Sequence, residues 1–220
     1  MPSYAMIPAR AGSERLKDKN LLKINGKPVI SYGIEIAKKA GCFDLIILNS
    51  DSHAFRPIAE EHGIQFYLRD REIARSKTTS DEVVYDFFQK FPDADEVVWI
   101  NAISPMQDPG EIAKALTLFQ HNNLDSMIAS HKYFRHGLLS GIPLNFKLTD
   151  KFARTQDLEP IELLSYTFMI WRRSEFLKSY LQTGSAITCG KFATYPIDYQ
   201  ASLAIKDASD YNLIKMIMEG

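Results

Sequence analysis

Arg10, Arg15, Lys17 and Lys19 put four positive charges within ten residues, beside Gly12 and Ser13 and directly after the apolar segment Tyr4-Ala5-Met6-Ile7. A buried strand that opens into a basic loop containing glycine and serine can hold a polyphosphate. Backbone N–H groups near Gly12 and Ser13 can face phosphate oxygens while the cations supply charge around them. A solvated basic turn fits the charge pattern as well, and the spacing matches neither G-x-x-x-x-G-K-[ST] nor G-x-G-x-x-G.

The elements that must position this loop alternate along the chain. Residues 5–7 read as a buried strand, and 29–39 carry helical spacing through Ile30, Ile34 and Ile36-Ala37. The continuous apolar run Leu45-Ile46-Ile47-Leu48 has the pattern of a parallel strand covered on both faces. A helix over 55–62, stopped by Gly63, precedes a strand over 65–68. Ser80 is the expected N-cap of a helix that keeps Val83, Val84, Phe87 and Phe88 on one face. A strand over 96–101, a helix over 109–120 and a strand over 126–130 continue the rhythm. After a break come a strand over 167–171, a helix over 174–182, a strand over 191–197 and a last helix over 208–218. This pattern predicts an α/β three-layer sandwich with a mostly parallel central sheet.

In such a sheet, ligands sit beyond the carboxyl ends of the strands. The segments from Pro8, from Ser50-Asp51, from Arg69 and from Asn101 to Pro105 each begin where a strand ends, so they are expected to converge. Taken alone, Arg69 could equally be a surface arginine paired with Asp70 or Glu72, and Asn101 a polar strand end near the helix that starts at Pro109. Between 132 and 164 the rhythm fails: Gly137, Gly141, Pro143 and Pro160 punctuate short apolar pieces. An insertion of that length is either a mobile loop or a functional or subunit contact.

A chain of 220 residues can bury roughly 70% of its unfolded surface in one domain, and no repeat divides it. A formal charge of −1 argues against a general nucleic-acid binder. Cys42 and Cys189 have no metal-ligand spacing and make no disulfide framework, and no apolar run approaches a membrane span. A cytoplasmic protein is expected.

The string Ile7-Pro8-Ala9-Arg10-x-Gly12-Ser13, then Lys19-Asn20, then Gly26-Lys27-Pro28-Val29-Ile30, resembles the opening signature of the acylneuraminate (CMP-sialic acid synthetase-like) cytidylyltransferases. Ser50-Asp51 is similar to that family's Ser-Thr-Asp step, Asn101-Ala102-Ile103-Ser104-Pro105 to its Gln-x-Thr-Ser-Pro, and Arg154-Thr155-Gln156-Asp157 to its Arg-Arg-Gln-Asp. The resemblance implies a nucleotide-diphospho-sugar transferase-like fold and transfer of a cytidylyl group from CTP to the anomeric hydroxyl of a nine-carbon 2-keto acid sugar. It implies that Arg10 and Lys19 act on the α-phosphate and the leaving pyrophosphate, and that Ala9, Gly12, Ser13 and Asn20 hold the nucleotide. Arg69, Thr78 and Ser80 would read the pyrimidine, while Asn101, Arg154 and Gln156 would hold the sugar. Magnesium is the implied cofactor, and the insertion is implied to reach a partner subunit in a homodimer.

The match departs from the family at its carboxyl end. Aligned backward from Asp210, the two aspartates that hold magnesium in the family fall on Ala204 and Lys206, with Asp207 one residue out of register and Asp198 further away. Glu14 stands where a lysine is usual, Thr155 replaces the second arginine, and Ser165-Tyr166 stands for Asn-Gly. Three readings follow: an active cytidylyltransferase for an uncommon nonulosonic acid, a nucleotide- or sugar-binding relative without catalysis, and a 3-deoxy-manno-octulosonate cytidylyltransferase.

Overall fold

Apolar segments that are buried on both sides form the interior of one seven-stranded sheet. Its strands are β1 (Ser3–Ala9), β2 (Leu45–Ser50), β3 (Gln65–Leu68), β4 (Glu96–Ile100), β5 (Ser126–Tyr133), β6 (Ile161–Arg172) and β7 (Phe192–Pro196), in the order β7-β5-β6-β4-β1-β2-β3. The computed structural model describes residues 1–13, 15–149 and 151–220. β1 pairs in parallel with β2 and β4, β2 with β3, and β5 with β7. β6 alone runs antiparallel, to both β4 and β5. Its connection from β5 is an irregular excursion rather than a crossover helix, so it can enter the sheet in the reverse direction.

Successive side chains of a strand point to opposite faces, and each face carries its own core. Ala5, Ile7 and Ala9 of β1 and Val98 and Ile100 of β4 pack with Ile30 and Ile34 of α1 (Val29–Ala40) and with Ile112 and Phe119 of α4 (Pro109–His121). Ala59 of α2 (Arg56–Glu61) closes the same face. Met6 and Val97 point the other way, onto Val84, Phe87 and Phe88 of α3 (Ser80–Lys90) and Phe176 of α5 (Arg173–Thr183). Two helical layers around a mostly parallel sheet make an α/β sandwich. The short helix α6 (Tyr199–Ser202) and α7 (Ala208–Glu219) follow the last strand. Ile205 and Ile214 bury against Ile24 and Val29, which brings the carboxyl-terminal segment beside the start of α1.

Three local expectations are corrected. Thr79, not Ser80, caps α3: its hydroxyl accepts from Glu82 N while the Glu82 carboxylate accepts from Thr79 N, a reciprocal box that Ser80 in the first turn cannot make. The irregular stretch is shorter than 132–164, because β5 runs on to Tyr133 and β6 starts at Ile161; between them Leu138–Leu139 and Ile142–Pro143 form a small ribbon. Asp207 is not in a strand but is the N-cap of α7, so register against Ala204 and Lys206 does not set its direction. Both cysteines are free thiols, and among the described residues no helix is long and apolar enough to cross a membrane.

Candidate active site

The loop after β1 is held from beneath. Ala11 N donates to Asp51 Oδ1 at 2.9 Å from the end of β2, and Asn20 Nδ2 donates to the Arg10 carbonyl at 3.3 Å. Gly12 has φ +73°, a left-handed turn that favours glycine, and it lets the chain fold back over the strand ends. Asn20 is buried, and its Oδ1 accepts no hydrogen bond from the described residues. Glu14 lies outside the described residues.

Arg10 borders two cavities. One, of about 160 Å³, is lined by Pro8, Arg10, Arg69, Arg75, Thr78, Ser80 and Trp99 among others, and it opens at the amino end of α3. The other, of about 230 Å³, is lined by Pro8, Arg10, Ser13, Lys19, Asn20, Asn101 and Ile103. Eight of the twelve sequence-derived site residues therefore line one or both cavities: Arg10, Ser13, Lys19, Asn20, Arg69, Thr78, Ser80 and Asn101. Ala9 is buried at the strand end, and Gly12 shapes the loop.

Arg69 is not the surface arginine of the alternative reading. It is 4% exposed, and its Nη1 donates to both the carbonyl and Oδ1 of Asn49, at 3.1 and 3.2 Å. Burial lowers its pKa, an effect offset in part by Asp51 and Asp86. Lys19 likewise has a pKa below the usual lysine value, chiefly because it is half-buried and then because Arg15 and Arg10 repel its charge; Asp210 acts in the opposite direction. A phosphate placed among these cations would relieve both the repulsion and the lost solvation. Asn101 ends β4 in a tight turn: Gln107 Nε2 donates to the carbonyls of Asn101 and Ser104, and Asn101 Nδ2 donates to the Tyr166 carbonyl at 3.2 Å. Asp108, not Asn101, caps α4. Arg75 and Trp99 escaped the sequence reading. Only the fold brings a loop arginine and a strand side chain to the first of the two cavities.

Arg154 and Gln156 lie elsewhere. They sit in a 3-10 turn of the excursion, Arg154 pairs with Asp157 through two hydrogen bonds of 2.7 and 3.2 Å, and neither residue lines the two cavities. The carboxylates near α7 do not fit a magnesium ion. Asp207 accepts from Ser209 N, Ser209 Oγ and Asp210 N, and Asp210 accepts from Lys206 N and Asp207 N. Ala204 and Lys206 bring no oxygen ligand. Asp198 lies at a different cavity with Asp108 and Glu111, and no group of three metal-ligating side chains occurs among the described residues.

Residues 4–151 match the sequence profile of the cytidylyltransferases. The chain belongs to the cytidylyltransferase family. The match covers β1 to the middle of the excursion, which includes both cavities, and stops before Arg154 and the α7 segment. Over 219 residues this family member is 29% identical to an N-acylneuraminate cytidylyltransferase of Streptococcus agalactiae, covering 96% of this chain and 52% of the relative. It is 35% identical over 116 residues to the enzyme of that name from Escherichia coli O18:K1:H7, covering 53% of this chain and 28% of the relative. With a pseudaminic acid cytidylyltransferase of Campylobacter jejuni it shares 29% over 138 residues, 60% of each chain. The chain thus spans about half the length of the streptococcal relative. In three dimensions it superposes on a CMP:2-keto-3-deoxy-manno-octonic acid synthetase complexed with CTP, with a TM-score of 0.74 at 14% identity over 100% of this chain and 99% of the other. At that identity the similarity establishes the fold.

Proposed function

We propose that this cytidylyltransferase-family chain transfers a cytidylyl group from CTP to the anomeric hydroxyl of a nonulosonic, sialic-acid-like 2-keto acid and releases pyrophosphate. The observation that carries this is the position of Arg10. It lines a base-sized cavity together with Arg69, Thr78 and Ser80, and a second, basic cavity together with Ser13, Lys19 and Asn20. A pyrimidine seated against Arg69 would direct its phosphates past Arg10 toward Lys19. The sugar oxygen attacks the α-phosphorus, the bond from that phosphorus to the β-bridging oxygen breaks, and the hydroxyl proton leaves to solvent. Little covalent work is asked of the protein; positioning and neutralisation of phosphate charge carry the rate.

Magnesium accompanies CTP in this reading as part of the nucleotide complex, because Asp207 and Asp210 each already accept backbone N–H groups through one carboxylate oxygen and no group of three metal-ligating side chains occurs among the described residues. A second copy of the chain covers Leu139, Ile142, Leu148 and Phe152 of the excursion, which are 66%, 69%, 76% and 77% exposed. Arg154 and Gln156 would then be presented to the partner's site rather than to their own. The test is pyrophosphate release from CTP with N-acetylneuraminate, pseudaminate and N,N'-diacetyllegionaminate. Release with one of them supports the reading, whereas CTP binding without turnover on any of them favours a binding protein.

A further inference from the structure

Asn49 is a polar side chain in an apolar place. It is fully buried near the end of β2, on the face of the sheet where Met6, Ile47 and Tyr67 pack toward α3. In register it stands between Pro8 of β1 and Tyr67 of β3. A buried amide is destabilising unless its donors and acceptor find partners. Asn49 meets that condition mainly through one residue. Arg69 Nη1 donates to Asn49 Oδ1 at 3.2 Å and to the Asn49 carbonyl at 3.1 Å, while Asn49 Nδ2 donates to Met6 Sδ at 3.3 Å.

These contacts fix the guanidinium. The Arg69 backbone N–H donates to the Ser50 carbonyl at 2.8 Å, so main chain and Nη1 are both tied to the end of β2. Nε is enclosed without an acceptor, and Nη2 makes no hydrogen bond among the described residues. Asp51, Asp86 and Arg10 are the charges that act on this guanidinium, and no described carboxylate forms an ion pair with it. Asp86 instead accepts from Tyr67 Oη at 2.9 Å. Arg69 is thus held by a neutral amide, and it keeps Nη2 unshared while lining the cavity with Thr78 and Ser80.

Two positions further on, Asp51 serves the other half of the site. Its Oδ1 accepts from Ala11 N, in the loop that carries Ser13 and Lys19 to the second cavity. The end of β2 therefore holds the base-side arginine and the phosphate-side loop by separate groups.

Resting on the reading in which the pyrimidine of CTP sits against Arg69, we propose that Asn49 is a positioning residue of this site, whose side-chain oxygen fixes the guanidinium so that Nη2 meets an acceptor on the pyrimidine edge. Asn49 touches no ligand itself, since it is buried and lines neither cavity. Its effect is confined to the base, because the phosphate loop is held by Asp51.

Calorimetric titrations of folded protein with CTP and with inorganic tripolyphosphate, which has no base, separate the two halves. Asn49→Ser and Asn49→Leu both remove the amide oxygen; the serine fits the space easily, and the leucine keeps the bulk. Each is expected to weaken CTP binding about three- to tenfold, with tripolyphosphate affinity unchanged within twofold. In an Arg69→Ala background the same substitutions should have no further effect on CTP, because the group that Asn49 holds is gone. Unchanged CTP affinity in both variants overturns the assignment. An equal loss for tripolyphosphate, the mark of a general distortion of the strand ends, overturns it too, as does a full additional loss in the Arg69→Ala background. Failure of wild-type protein to bind CTP, or an Arg69→Ala variant that binds CTP as tightly as wild type, instead removes the underlying reading.

Discussion

Arg10 donates from Nη1 to the backbone carbonyl of Arg75 across 3.1 Å, which ties the loop after β1 to the loop before α3. Arg75 in turn pairs with Glu72 and lines the base-sized cavity with Arg10 and Arg69. Three guanidinium groups therefore surround one small cavity, and the backbone carbonyl of one of them orients another. An anionic ligand can compete for Arg10 with that neutral carbonyl, because a charge-assisted hydrogen bond is roughly twice as strong as a neutral one.

Lys19→Ala is expected to weaken CTP binding by about ten- to a hundredfold, the equivalent of about 1.5–3 kcal/mol for one charge-assisted contact. The pH dependence follows from the direction of the Lys19 shift. Its pKa is below the usual lysine value in the free protein because of burial and then the Arg15 and Arg10 charges. Phosphate favours the ammonium form and raises that pKa. CTP affinity should thus fall as pH rises through the free-protein value, and binding in that range should take up protons. Calorimetry in two buffers of different ionisation enthalpy reads this directly, and Lys19→Ala should abolish the uptake.

The capped carboxylates of α7 predict weak magnesium binding by the protein alone. Asp207 and Asp210 are each engaged by neighbouring backbone N–H groups. Titration of the nucleotide-free protein with magnesium should show no saturable heat up to about 1 mM, a range reached by even the weaker oxygen-ligated cation sites. The double substitution Ala204→Asp with Lys206→Asp should create a measurable site. Saturable binding by the wild-type protein would show that oxygen ligands are available in solution.

Glu96 is fully buried at the amino end of β4, opposite the cavities. It accepts from Ser3 Oγ at 2.8 Å, Gln120 Nε2 at 2.7 Å and Arg172 Nη1 at 3.3 Å. Glu96→Ala leaves Arg172 and Gln120 without this partner and should cost about 3–5 kcal/mol in denaturant unfolding. Glu96→Gln should cost less, because one side-chain oxygen remains to accept from Ser3 and Gln120. Neither change should alter CTP affinity in protein that remains folded.

Light scattering should give the mass of a dimer at tens of micromolar protein. Leu139→Glu combined with Ile142→Lys should shift the mass toward that of a monomer, because it places charge on two of the most exposed apolar side chains of the excursion. A monomer mass for the wild-type protein at high concentration would reject the second copy as the cover for this surface.

Much of the sheet was legible because its signal is local. The apolar runs at 5–7 and 45–48 and the apolar face of α3 are each carried by a few neighbouring residues. The convergence of Arg10, Lys19 and Asn101 was legible for a related reason: parallel strands bring their carboxyl ends together whatever the side chains do. The antiparallel direction of β6 was not, since its buried run over 167–171 reads the same in either direction.

What the sequence by itself determined is the chemistry available: a basic loop after the first strand, a buried-strand rhythm, and Ala204 and Lys206 shortly before the last helix. Only the tertiary structure decided how that chemistry is used. It turned Arg69 inward onto Asn49, spent Asp207 and Asp210 on the α7 cap, and left the Arg154 guanidinium on Asp157. The physical reason is range. Periodicity and turn chemistry act over a few residues, whereas the partner that each polar side chain finds depends on which distant backbone the packed layers bring within hydrogen-bond reach.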